Sequence, residues 1–150
     1  MPQAVVWEEK EKTGAPLVMP ALKEAIDKLM EFKRKEGEAI RKEIMANLGK
    51  LKNNMEEIKR QKPNAANMEN GKEDIDEEIS LAMFYIGKMD AAVNSKKGKP
   101  IGKTFDFLTQ EILRELNAAS SKTKKKTPAF LIVEAKNYLE RIKEQAQNIE

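Results

Sequence analysis

The sequence predicts an all-α protein, a bundle or helical hairpin of about four long helices. Charged residues make up 35% of the 150 residues and aromatic residues only 5%, while Met, Leu, Ile and Ala supply most of the apolar side chains. This composition is typical of long helices and not of a sheet sandwich. Four separate stretches also repeat their apolar residues at steps of three and four, which is the spacing of one helix face.

The first predicted helix runs from about residue 20 to residue 61. Pro20 suits a first helical turn, and a heptad-like series follows it with an interruption at Gly37. Its apolar members are Leu22, Ile26, Leu29, Ile40, Ile44, Leu48, Leu51, Met55 and Ile58. Such a helix is roughly 60 Å long at 1.5 Å per residue. Since this exceeds the diameter of a small globule, we expect part of it to pack against another chain or to project as the arm of a hairpin.

Three shorter helices are predicted near residues 73–94, 104–121 and 128–149. A turn-rich segment, residues 62–71, precedes the first of them, and Thr127 with Pro128 forms a good N-cap and first turn for the last. Their apolar stripes are, in chain order, Ile75, Ile79, Ala82, Ile86, Met89 and Val93; Phe105, Leu108, Ile112, Leu116 and Ala119; and Ile132, Ala135, Leu139, Ile142, Ala146 and Ile149.

The chain is predicted to form one helical domain, residues 18–150, behind a tether, residues 1–17. The tether shows no periodicity and ends at a break, residues 13–16, that contains Gly14 and Pro16. The length of the remainder suits one domain with a modest core.

Cys and His are absent from the sequence, which limits the metal sites and the catalytic groups that the chain can form. The absence of Cys excludes a disulfide framework and a thiolate metal site. No apolar run is long enough to span a bilayer and no leader is evident, which fits a cytoplasmic protein without a membrane partner. The absence of His removes the commonest general acid–base and the commonest transition-metal ligand. Hydrolysis would therefore depend on carboxylates with a hard metal ion, or on Lys and Tyr.

The third predicted helix carries two polar flanks beside its apolar stripe. One flank consists of Asp106, Gln110, Asn117 and Ser121, with Arg114 beside them, and the other of Glu111, Glu115 and Lys122. Asp, Asn and Ser are poorer helix formers than the Lys and Glu of an ordinary solvated face. Two interpretations are open: this is an ordinary polar helix face with some hydrogen bonds between helices, or these groups hold a ligand.

The same helix carries a family resemblance. The residues Gly102, Asp106-Phe107, Gln110-Glu111, Arg114-Glu115, Asn117 and Ser121-Lys122 resemble the C-terminal signature of the YicC family. The members of this family are bacterial endoribonucleases, first described as stress-induced proteins. Residues 133–136 and 139–150 resemble the closing helix of the family, and residues 74–78 and 32–37 are weaker blocks. Together the blocks span most of the chain after about residue 21.

The resemblance implies an RNA substrate, endonucleolytic cleavage and ring-like homo-oligomers. It also exposes departures from the family. An N-terminal domain precedes this region in the family, and a separate chain that supplies it is one of the partners that the resemblance leaves open. The connection between the first two helices is longer in the family. An Arg and a His of the family correspond to Leu81 and Tyr85 in this chain.

Positive charge is concentrated around the signature helix. Residues 95–126 contain nine basic and three acidic residues, a net charge of +6 in a chain whose total is +3. The basic side chains are Lys96, Lys97, Lys99, Lys103, Arg114, Lys122, Lys124, Lys125 and Lys126. The charge lies mainly in two basic loops, residues 95–103 before the helix and residues 120–127 after it. Either loop alone is typical of solvated surface, but two of them flanking one polar helix favour a polyanion such as RNA.

The candidate catalytic residues are Glu111 and Glu115, which lie one helical turn apart. Such a pair can share Mg²⁺ or Mn²⁺, although the spacing is common on any helix. Glu134 or Glu144 of the last helix would complete the metal site if the two helices pack antiparallel. The polar flank with Asp106, Gln110, Asn117 and Ser121 would then hold backbone phosphate or orient the metal's carboxylate ligands. No aromatic platform for stacking bases is evident.

Three functions stay open at this point. The first is a metal-dependent RNA hydrolase of the YicC type, which the signature and the basic loops favour. The second is a non-catalytic RNA-binding or regulatory fragment, which the residues Leu81 and Tyr85 favour. The third is a purely structural helical oligomer, which the heptads favour.

Overall fold

The structure is a computed structural model that describes residues 2–61, 74–95 and 101–149, with side chains from residue 16 onward. Within these residues it contains four helices and no strand, namely α1 (Pro2–Arg60), α2 (Asp76–Asn94), α3 (Gly102–Lys122) and α4 (Lys126–Gln147). The predicted all-α class with four helices is confirmed. None of the helices in the described ranges has the length and apolar content needed to cross a membrane.

The start of α1 differs from the prediction. The helix begins at Pro2 and continues through Pro16 and Pro20, so most of the residues assigned to a tether are helical. Each of these prolines removes one backbone donor from the helix. Neighbouring sequence such as residues 8–12, with three Glu and two Lys, consists of good helix formers. The turn-rich segment predicted at residues 62–71 lies outside the described residues.

The chain divides into two compact units, Met1–Glu38 and Ala39–Glu150. In the first unit the described side chains are exposed almost throughout. Three ion pairs link its residues one helical turn apart, Glu24 to Lys28, Glu31 to Lys35 and Arg34 to Glu38. Its large exposed apolar side chains are Leu17, Val18, Met19, Leu22, Ile26, Leu29, Met30 and Phe32.

The second unit contains the hydrophobic core. The predicted stripes of α2, α3 and α4 are buried in it, apart from Ile75 and Ile149, which are half-buried and pack against it. The C-terminal part of α1 contributes Ile44, Leu48, Leu51, Met55 and Ile58. Full burial of one such side chain stabilises the fold by about 1.5–3 kcal/mol.

Polar contacts define the arrangement of the helices in the second unit. Helix α1 runs antiparallel to α4, because Glu43 accepts a hydrogen bond from Gln145 (2.8 Å) and Asn54 donates to the backbone carbonyl of Leu131 (3.4 Å). Lys52 of α1 pairs with Asp90 of α2 (2.6 Å). Helix α2 packs against α3, and α3 packs against α4 across a three-residue connection. The four helices therefore follow one another around the bundle, with α3 between α2 and α4.

Candidate functional site

Helix α3 presents its polar flanks as the sequence predicts. Phe105, Leu108, Ile112, Leu116 and Ala119 face the core, and Thr109 is buried beside them. On the polar flank Gln110, Asn117 and Ser121 are exposed and Asp106 is half-buried. The recorded hydrogen bond from this flank runs from the Ser121 hydroxyl to the Ala118 carbonyl within α3 (2.8 Å). Among the described residues no hydrogen bond joins this flank to another helix, so an ordinary polar face and a ligand-holding face both stay open.

The opposite flank of α3 faces α2. Lys122 fixes this orientation, because its ammonium group donates a hydrogen bond to the Glu78 carboxylate of α2. Glu111 and Glu115 lie on the same flank as Lys122, at helical steps of four and seven. Both are half-buried, and Glu111 also lies 3.8 Å from the guanidinium of Arg114. The two candidate catalytic carboxylates therefore line the surface between α2 and α3, which we name the α2/α3 groove.

Two positions of α2 line the same groove. Glu78 at the start of α2 accepts the hydrogen bond from Lys122 at the end of α3, and the two helices pack on each other, so they run antiparallel. Tyr85 follows Glu78 by seven residues and Glu115 precedes Lys122 by seven, so these two side chains are level as well, since both helices rise about 1.5 Å per residue. Leu81 lies one turn from Tyr85 on this side of α2. Tyr85 stands at one of the two positions where the resemblance implies Arg and His and is half-buried, whereas Leu81, at the other position, is exposed beside it.

The other predicted metal ligands lie elsewhere. Glu134 accepts a hydrogen bond from Asn54 of α1 (3.5 Å), so it faces α1 and not α3. Glu144 is exposed. Across residues 16–61, 74–95 and 101–149, no group of three His, Cys, Asp or Glu side chains is placed to hold a metal ion. The four predicted ligands therefore do not form one site among the described residues, and Glu134 is directed toward α1.

The predicted basic surface is described only in part. Lys96, Lys97 and Lys99 lie outside the described residues, and Lys103 is exposed in the first turn of α3. At the other end of the 21-residue helix α3, Lys124, Lys125 and Lys126 are exposed and form no ion pair among the described residues. These two ends are roughly 30 Å apart. One RNA molecule would therefore have to extend along α3 to reach both.

The sequence did not single out Glu78, which is only 7% exposed. One carboxylate oxygen accepts the hydrogen bond from Lys122, and the other, Oε2, is buried without a partner among the described residues. The hydrogen bond raises the pKa of the Lys122 ammonium above its ordinary value; desolvation lowers it, and the charges of Glu78, Glu77 and Asp74 add to the rise. A signal was present in the sequence, because Glu78 lies three residues after Ile75 and four before Ala82, on the apolar stripe.

The sequence of this chain is similar to those of known proteins. The chain is 32% identical to the probable endoribonuclease YicC of Clostridioides difficile (strain 630), in an alignment of 182 residues that covers 99% of this chain and 61% of that protein. It is also 32% identical to the probable endoribonuclease YicC of Haemophilus influenzae over 77 residues, which cover 51% of this chain and 26% of that protein. The chain thus spans less than two thirds of the length of these relatives.

A family model describes the region that contains the bundle. The model of the C-terminal part of YicC-like endoribonucleases matches residues 29–150. The match includes the whole of α2, α3 and α4, the α2/α3 groove and the exposed lysines at both ends of α3. The chain belongs to the family defined by the C-terminal region of YicC-like endoribonucleases.

Proposed function

We propose that this chain contacts and cleaves RNA as part of an endoribonuclease of the YicC type. The observation that carries the proposal is the position of Glu111 and Glu115 in the α2/α3 groove, between exposed lysines at the two ends of α3. Both glutamates lie within the region that the family model matches, and the two relatives are named probable endoribonucleases.

The lysines would contribute the affinity for RNA. Lys122 and residues 124–126 form a positively charged end of the bundle, and contacts between Lys and phosphate supply most of the sequence-independent affinity of nucleic-acid-binding proteins. Lys103 and Arg114 extend this charge along the exposed side of α3. Gln110, Asn117 and Ser121 lie beside Arg114 with solvent-facing polar groups, so they are available to phosphate and sugar oxygens.

We further propose that cleavage depends on Mg²⁺ or Mn²⁺. Mg²⁺ is commonly bound through one or two carboxylates, with water and substrate phosphate as its other ligands. Glu111 and Glu115 fit that mode, whereas a site made only of protein ligands does not fit the described residues. A divalent ion held there would supply a Lewis acid for the phosphate oxygens. The two glutamates would orient it at the groove.

The test is cleavage of a labelled RNA hairpin by the purified chain with Mg²⁺, with Mn²⁺ and with a chelator. We expect cleavage with metal, none with the chelator, and at least a hundredfold slower cleavage in Glu111→Gln or Glu115→Gln, because an amide lacks the charge that a hard cation requires. Glu140→Gln is the control, since Glu140 is an exposed carboxylate of α4. Cleavage that persists in the chelator or in both groove variants would place the chemistry elsewhere.

A non-catalytic role in RNA binding is the second candidate. Leu81 and Tyr85 stand at the positions of α2 where the resemblance implies Arg and His, and neither carries a guanidinium or an imidazole group. The chain also covers only 61% of the C. difficile relative. Binding of the hairpin without cleavage under any metal condition would select this candidate.

Self-association is a further proposal. The exposed series Leu22, Ile26 and Leu29 repeats at helical spacing in the first unit. Leu22 and Ile26 also line a shallow apolar pocket together with Met19, Pro20 and Lys23. An exposed apolar stripe of this kind marks an interaction surface. The alternative is that the stripe binds a separate chain, which supplies the region preceding this one in the relatives.

A cytoplasmic location stays a prediction.

A further inference from the structure

The ion pair between Glu78 and Lys122 joins two helices at the end of the bundle. Glu78 is the third residue of α2 and is almost fully buried, whereas the Lys122 side chain, at the last residue of α3, is 42% exposed. The pair therefore has one end in the core and one end at the surface. It also connects residues 74–78 with Ser121-Lys122, two of the separate blocks that resemble the family.

The buried end is costly for the fold. A carboxylate removed from water needs hydrogen bonds to both oxygens, and Oε2 of Glu78 has none among the described residues. The dipole of α2 offsets part of this cost, because Glu78 lies in the first turn. Ile79 and Ala82 beside it show that apolar side chains pack at this level of α2. Stability alone would favour an apolar residue at position 78.

The exposed end has the properties of a fixed phosphate ligand. A lysine ammonium carries three donors, and the structure records Glu78 as the one acceptor of Lys122 among the described residues. Two donors therefore remain for a ligand. This hydrogen bond also raises the pKa of the Lys122 ammonium above its ordinary value. Lys124, Lys125 and Lys126 lie next to it without a recorded partner, so Lys122 is the anchored cation of this basic end.

We propose that Glu78 is a positioning residue that holds Lys122 against a phosphate of bound RNA. The inference rests on the proposed function, because it requires that this end of the bundle contacts RNA. Free lysine side chains lose rotamer entropy when they bind phosphate. Glu78 removes that loss for Lys122 by ordering its side chain before RNA arrives.

The experiment is a double-mutant cycle on RNA affinity, measured by anisotropy of a fluorescein-labelled RNA hairpin with the full chain. Lys122→Gln keeps a donor for Glu78 but removes the charge, and we expect about tenfold weaker binding. Glu78→Met removes the anchor, and we expect about threefold weaker binding. In the Lys122→Gln background, Glu78→Met should change nothing. Glu78→Gln keeps an acceptor and should retain affinity within about twofold.

Two other roles for Glu78 give different results. If the residue merely ties α2 to α3, Glu78→Met lowers the unfolding temperature and leaves RNA affinity unchanged. If it is merely a negative charge near RNA, Glu78→Met strengthens binding equally with and without Lys122, as the exposed neighbour variant Glu77→Gln also would. Either result overturns the inference.

Failure of the proposed function is distinguishable from failure of the inference. If the wild-type chain does not bind the hairpin, both are overturned. If it binds, and replacement of Lys124, Lys125 and Lys126 weakens binding while the cycle shows no coupling between positions 78 and 122, only the inference is overturned. Thermal unfolding of each variant confirms that the comparison is made on folded protein.

Discussion

The two described parts of α1 carry the same apolar pattern with opposite outcomes. Ile44, Leu48 and Leu51 repeat at steps of four and three and are buried in the core of the second unit. Leu22, Ile26 and Leu29 repeat at the same steps in the first unit and are about half exposed, at 52%, 47% and 55%. Periodicity therefore establishes that a helix has an apolar face, but not whether the same chain covers that face.

The charged residues of the two parts differ in a related way. In the first unit the ion pairs join residues one turn apart on α1 itself, as between Glu24 and Lys28. In the second unit Lys52 pairs with Asp90 on another helix. Pairs of the first kind stabilise an isolated helix by about 0.3–0.5 kcal/mol. Pairs of the second kind additionally depend on the packing of the bundle.

The largest expected difference between the two parts is in stability. Leu48→Ala should lower the free energy of unfolding by about 2–5 kcal/mol, because it leaves a cavity in the core. Leu22→Ala makes the same chemical change at an exposed site and should stay within about 0.5 kcal/mol. Urea denaturation of the dilute chain measures both. Equal losses would mean that this chain buries both stripes.

The second largest expected difference between the two parts of α1 is in self-association. Leu22→Lys should weaken association about a hundredfold if the first stripe is the contact between copies, because a symmetric interface loses two buried leucines. Leu17→Lys is the matched control, since Leu17 is also exposed and its position five residues before Leu22 puts it on a different face at 3.6 residues per turn. Sedimentation at micromolar concentrations measures the change. A wild-type chain that remains monomeric there would assign the stripe to a different partner.

The predictions for the candidate site divide in the same way. Features of a single helix could be predicted from the sequence, whereas contacts between helices could not. The stripes of α2, α3 and α4 were predictable, because period and burial belong to one helix. The division of α3 into a core face and two polar flanks was predictable for the same reason. The separation of Glu134 from Glu111 was not, because a sequence period does not tell which neighbour a flank faces.

The burial of Glu78 is a feature that its sequence position indicates but that the prediction does not include. Its position on the apolar stripe was visible in the sequence, but a charged residue is usually assigned to the solvated face. Its partner Lys122 is 44 residues away along the chain, so only the packing of α2 on α3 could identify the pair. The sequence predicts a start of the first helix near residue 20 and not at Pro2, because Gly14 and Pro16 normally end a helix.

The smallest expected difference between the two units is in their contribution to RNA affinity. Both contain a run of three basic residues, residues 33–35 in the first unit and residues 124–126 in the second. In the first run, Arg34 and Lys35 are engaged by acids on the same helix, Arg34 by Glu38 at 2.9 Å and Lys35 by Glu31 at 2.8 Å. The second run has no recorded ion pair in the described part of the chain.

Replacing residues 124–126 with Gln should therefore weaken binding of the labelled hairpin about tenfold at moderate salt. It should also flatten the dependence of log affinity on log salt by up to about three units, because each lysine that contacts a phosphate displaces about one counterion. The same replacement of residues 33–35 removes equal formal charge from a stretch outside residues 95–126, where the net positive charge of the chain is concentrated, and we expect a change below about threefold. Anisotropy titrations at several salt concentrations measure both variants against the wild type. Equal changes would show that RNA responds to total charge, and the lysines at the end of α3 would then have no special place in binding.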